Sequence, residues 1–114
     1  MRLVPATREM YEAFTGQPPT RSARIVAAVE GDHVFGLAGV YPDKGRQVAF
    51  AELGDEIRSR PRDLLRLSKL FVERCIAPLS CAHAVCDENV EAAARFLEHL
   101  GFQHVAKGVW QWRG

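Results

Sequence analysis

Between Ile25 and Leu53 the chain offers little but strand. Ile25 to Val29, Val34 to Tyr41 and Val48 to Leu53 are runs of β-branched, aromatic and small apolar residues. Turn chemistry separates them, Glu30-Gly31-Asp32-His33 first and then Pro42 to Gly45. Connections this short can only lay each run beside the one before it, so the segment must form an antiparallel three-strand meander.

The rest of the chain supplies elements to cover it. Arg2 to Val4 reads as a short strand stopped by Pro5, after which Thr7 caps a helix with Met10, Tyr11 and Phe14 at helical spacing, ended by Gly16. Gln17 to Ser22, with Pro18 and Pro19 adjacent, reads as a loop. Beyond the meander, Pro61 suits a first helical turn, and Leu64, Leu67, Phe71 and Cys75 recur every three or four residues, with Arg62, Arg66, Lys69 and Glu73 on the other face. This helix should end before Pro78, and Cys81 to Cys86 should be a strand.

Asn89 is the natural cap of a third helix, whose stripe is Ala93, Phe96, Leu97 and Leu100 and whose left-handed end is Gly101. Phe102 to Ala106 and Val109 to Trp112 then make two strands around Lys107-Gly108. The order β-α-β-β-β-α-β-α-β-β implies an α/β fold, a mixed, mostly antiparallel sheet of about six or seven strands flanked by helices. At 114 residues, 47% of them hydrophobic and 25% charged, the chain suits a single domain over 1–114.

A formal net charge of +1 gives no global pull toward nucleic acid or an acidic membrane, so any anion site must be local. The odd set Cys75, Cys81 and Cys86 favours reduced thiols in the cytoplasm, and no segment approaches the roughly 20 apolar residues of a membrane span. Met1-Arg2-Leu3 opens without the apolar core of a signal peptide, so an unexported protein is expected. Strand alternation puts Cys81 and His83 on one face and Cys86 on the other, which argues against zinc. His33, His99 and His104 fall in or beside turns and helix ends, where histidine is ordinarily exposed. Trp110 and Trp112 share one side of the last strand, where they either pack the core or offer an association surface for a homodimer.

The element order, with Asp87-Glu88-Asn89-Val90-Glu91-Ala92-Ala93-Ala94-Arg95-Phe96-Leu97-Glu98-His99-Leu100-Gly101-Phe102, resembles the C-terminal half of the GNAT acetyltransferase superfamily. Arg58 to Leu67 and the Asn89 to Phe102 segment also look similar to small GNAT-like proteins of tailed bacteriophages. The resemblance implies acetyl-CoA as cosubstrate and a primary amine as acceptor. It implies a pyrophosphate site at the helix start that follows the fourth strand, a chemistry suited to a helix N-terminus, with Leu53, Arg58, Ser59, Arg60, Arg62 and Asn89 as its binding residues here. The family's Arg/Gln-x-x-Gly-x-Gly/Ala loop aligns with Arg58-Ser59-Arg60-Pro61-Arg62-Asp63, so Pro61 and Asp63 replace both glycines. Proline removes a donor and aspartate adds negative charge, while Arg58, Arg60, Arg62 and Arg66 concentrate positive charge at the same place.

Acyl transfer needs a base, and Glu52 is the lone carboxylate of its apolar strand, where partial burial would raise its pKa. The resemblance places the general acid, a tyrosine, at the position of Leu97, leaving Cys86 and Tyr41 as substitutes. A second class of function is a GNAT-like domain without catalysis that serves as a binding or structural protein, virion-associated with an assembly partner if phage-encoded.

Overall fold

The meander forms around two turns whose residues suit them. The structure is a computed structural model that describes residues 1–19, 23–79, 81–85 and 91–113, with 91–93 described by backbone alone. Lys44 and Gly45 both take positive φ, 50° and 79°, the pair of left-handed residues that matches a tight turn to right-twisted strands. They join β3 (His33–Asp43) to β4 (Arg46–Leu53). This hairpin is longer than the sequence reading, because Pro42 and Asp43 still pair with Gln47 and Arg46.

β2 (Arg24–Glu30) pairs antiparallel with β3, and β1 (Arg2–Pro5) with β2. With β5 (Cys81–Val85), β6 (Gln103–Ala106) and β7 (Val109–Arg113) they make one seven-stranded sheet in the order β1-β2-β3-β4-β5-β7-β6. It is antiparallel except where β4 meets β5. The α/β class and the mostly antiparallel sheet are as expected. Because β7 lies between β5 and β6, both its backbone edges are used; the free edge on that side belongs to β6. Trp110 is 5% exposed and Trp112 packs on the same core, so the pair is core rather than patch.

Helix α1 (Arg8–Thr15) starts and stops where its sequence dictates. Thr7 Oγ1 accepts from the Met10 N–H at 3.1 Å, and Gly16, at φ 77°, returns its N–H to Glu12 O at 2.8 Å. Met10, Tyr11 and Phe14 pack on Ala27, Val29 and Leu37, which face one side of the sheet. The opposite face carries Val26, Val40, Ala82, Ala84 and Trp110. There α3 (Pro61–Phe71) and α4 (Glu91–His99) lie together, contributing Phe71, Leu97 and Leu100. Their common side follows from handedness: β4, β5 and β6 run in one direction, and right-handed crossovers that advance the same way put their helices on the same face.

Two details depart from the sequence reading. A short helix, α2 (Asp55–Arg58), stands between β4 and α3 where only a connection was expected. And α3 does not stop cleanly before Pro78. Regular geometry ends at Phe71, widens into a π turn over Val72–Ile76 and tightens into a 3₁₀ turn over Ala77–Leu79 that contains the proline. Proline has no N–H for the carbonyl four residues back and its ring would strike it, so the hydrogen-bond spacing changes instead. That change keeps Cys75 and Ile76 in the core, 2% and 0% exposed.

The end of α4 matches its sequence in detail. Gly101, at φ 100°, gives its N–H to Glu98 O at 3.0 Å, and Phe102 gives its own to Leu97 O at 3.0 Å, the paired bonds of a glycine-terminated helix. The proposed cap Asn89 and the strand end Cys86 lie outside the described residues, as do residues 20–22 of the proline-bearing loop.

Candidate functional site

β4 and β5 run parallel only briefly. The register pairs Val48 with His83 and Ala49 with Ala84, and no further β4–β5 pair forms among the described residues. The Gly54 N–H donates to Phe35 O at 3.0 Å, and antiparallel ladders alternate which residues bond across them. Phe50 and Glu52 therefore turn their amides to β3, while Ala51 and Leu53 turn theirs away from it, toward the β5 side. Ligands of α/β sheets gather at such a place, beyond the carboxyl ends of parallel strands.

A cavity of about 240 Å³ lies between the sheet and helices α3 and α4 and reaches this divergence. Its floor is almost all alanine and glycine: Ala28, Gly36, Ala38, Ala49, Ala51 and Ala84. Its roof is large, with Leu64, Leu67 and Phe71 from α3 and Phe96, Leu97 and Leu100 from α4. Small side chains facing large ones across a helix–sheet layer leave the space open. Ser68 is the one polar side chain on the wall among the described residues, and its hydroxyl donates to Leu64 O at 2.6 Å. Leu53 lines the cavity, and Val85, 71% exposed, extends its apolar rim.

The four binding candidates Arg58, Ser59, Arg60 and Arg62 do come together, at the junction of α2 and α3. Their backbone is largely committed. The N–H groups of Arg58, Ser59 and Arg60 donate to Gly54 O (3.4 Å), Asp55 O (3.2 Å) and Ile57 O (3.0 Å), and Pro61 has none. The Ser59 hydroxyl donates to Glu56 O at 2.6 Å. Short helix α2 thus consumes donors that an open glycine loop would present to an anion.

The arginines divide by direction. Arg60 pairs with Glu30 at 3.2 Å and lies 5.3 Å over the Phe35 ring. Arg66 pairs with Asp63 at 3.4 Å, which offsets the aspartate's charge, and donates to Met1 O at 2.8 Å. Both tie the junction to the β1 and β2–β3 end of the sheet, with His33 and Glu56, 3.1 Å apart, beside them. Arg58 and Arg62 are exposed and hold no ion pair among the described residues. They are the cations left for a ligand.

Glu52 is exposed, not partly buried as the sequence suggested. It pairs with Leu37, so its side chain shares the α1 face of the sheet, opposite the cavity. Tyr41 is on the same face with its ring 5.8 Å from that of Phe50. It stands four residues along β3 from Leu37, about 13 Å from Glu52 at ~3.3 Å per residue, so this pair does not meet. Leu97, at the position of the family's tyrosine, is part of the apolar cavity wall. Cys81 and His83 share a face as expected, and the Gln111 amide donates to Cys81 Sγ at 3.3 Å. No three metal-ligating side chains gather among the described residues, and none of the described helices is long and apolar enough to cross a membrane.

The cavity is what the sequence reading missed. Its signal was present in small inward residues of four strands, Ala28, Gly36 and Ala38, Ala49 and Ala51, and Ala84, but the roof that makes this a void comes from helices distant in the chain. No protein-family model matches the chain, and no curated protein matches its sequence.

Proposed function

We propose that this chain is a GNAT-type domain that transfers the acetyl group of acetyl-CoA to a primary amine. The observation that carries the reading is that β4–β5 pairing stops at Ala49 and Ala84 beside an apolar cavity, with the Ala51 and Leu53 amides at its mouth facing away from β3 and without a partner among the described residues. A thioester seated there has its carbonyl oxygen within the field of the Ala51 and Leu53 amides, donors suited to the negative charge that grows as an amine attacks. The C–N bond forms, the C–S bond breaks and the thiolate takes up a proton. Glu52, on the other face of β4, would take the proton lost by an amine arriving from that side. Arg58 and Arg62 are the groups to meet the pyrophosphate.

A second reading has its own support. The committed amides of Arg58, Ser59 and Arg60, together with Pro61, leave a poor backbone cradle for phosphate, which favours a domain of this type that has lost catalysis and binds or assembles instead, in a virion if phage-encoded. Calorimetric titration with acetyl-CoA and CoA at low and high salt separates the two. Micromolar binding weakened by salt supports the enzyme, and Glu52→Gln should then lower kcat with little change in cofactor affinity. Absence of binding overturns the acyl-transfer reading in favour of the second.

A further inference from the structure

We infer that the cavity is a site for a straight aliphatic acyl chain of medium length, so that the group carried is larger than acetyl. The inference rests on the thioester reading for the head of the ligand and on the cavity for its tail. Volume sets the length. An apolar void of about 150 Å³ holds a benzene ring, and by that measure 240 Å³ has room for roughly eight to ten carbon atoms. An acetyl group would leave most of it empty.

Chemistry sets the class. Among the described residues the wall offers no free side-chain donor: the Ser68 hydroxyl spends its proton on Leu64 O, and every other described wall residue is apolar or glycine. Among the described residues no buried polar side-chain atom lacks a partner and could be aimed inward. Beneath β1 to β4 the floor's backbone is engaged in the sheet. The amides of a pantetheine arm would lie there unpaired, at the cost that burying such groups carries. Ala51 and Leu53, whose amides face away from β3 and have no partner among the described residues, stand at the mouth. The arrangement therefore orients the ligand. Its thioester lies at the strand divergence, the polar arm runs out toward Arg58 and Arg62, and the hydrocarbon tail points inward over Ala38 and Ala28.

The test is calorimetry of the whole protein with acetyl-, butyryl-, octanoyl-, dodecanoyl- and palmitoyl-CoA, with free octanoate titrated separately. Affinity should rise by up to about fourfold per added methylene to a chain of eight to ten carbons and fall beyond it. Ala38→Leu, which fills the floor, should move the optimum to a shorter chain; should that variant fail to fold, the wild-type length series decides alone. Equal affinity across all lengths overturns this inference and leaves the acetyl reading standing. Octanoate binding without binding of any CoA ester supports the chain site and overturns the acyl-transfer reading. If no ligand of any length binds, both fall.

Discussion

A Cβ placed on Gly39 would lie 2.7 Å from Arg24 O and 2.7 Å from the Phe50 ring. Real Cβ atoms do not approach a backbone carbonyl so closely, and strand β2 cannot retreat without disturbing its pairs on both sides. Gly39→Ala should therefore lower stability by about 1–3 kcal/mol in urea unfolding; a change within ~0.5 kcal/mol, the range of an ordinary surface substitution, would show that Phe50 and β2 yield freely. Cys75 is the other residue whose surroundings have a measurable consequence. Burial pushes its thiol above the ordinary value of 9.0, against the smaller lowering influence of Arg24 and Arg74. The folded chain thus holds this proton more tightly than the unfolded one. The stability it contributes is present below pH 9 and is lost as pH rises toward the folded value. Between pH 8.5 and 10.5 the wild type should lose stability more steeply than Cys75→Ala, by at most about 1.4 kcal/mol per pH unit. Parallel slopes would mean that the thiol is hydrated in the folded state. Neither effect was readable in the sequence, where Gly39 is one glycine of a strand and Cys75 one apolar position of a helix.

At the scale of elements, the α2–α3 junction separates arginines that the sequence treats alike. Arg60 is turned to the sheet end by Glu30 and Arg66 by the Met1 carbonyl, and Arg58 and Arg62 hold no such partner among the described residues. Arg58→Ala with Arg62→Ala should weaken CoA binding about tenfold or more and flatten its salt dependence. Arg60→Ala should leave that affinity unchanged and lower stability by less than about 1 kcal/mol, since its ion pair is half exposed on both sides. The reverse pattern, seen by calorimetry and thermal melting, would place the anion at Arg60. Helix ends were legible where a single residue suffices, as with Thr7, Gly16 and Gly101. The passage through Pro78 was not, because the backbone has several ways around a proline and the burial of Val72, Cys75 and Ile76 selects this one.

For the molecule as a whole, the decisive feature is that, among the described residues, the pairing of β4 with β5 in the middle of the sheet stops at Ala49 and Ala84. Hydrogen exchange tests it without a ligand. The amides of Phe50 and Glu52, which face β3, should exchange slowly, and those of Ala51 and Leu53, which face the divergence, should exchange faster by at least about tenfold. Bound acyl-CoA should slow Ala51 and Leu53 selectively. Uniform protection along β4 in the free protein would mean that β4 and β5 stay paired to their ends and that the cavity lacks this mouth.

The chain's own pattern determined the meander, both caps of α1, the glycine end of α4, the apolar faces of its helices and the α/β class. Each follows from neighbours within a few residues, through turn chemistry, capping and hydrophobic period. Only the tertiary structure decided that β7 is interior, that Glu52 faces away from the cavity and stays exposed, that α2 takes up the loop's amides, and that alanines from four strands meet large side chains from two helices. Those outcomes depend on which distant segments lie opposite one another, and a local pattern carries no distance across the fold.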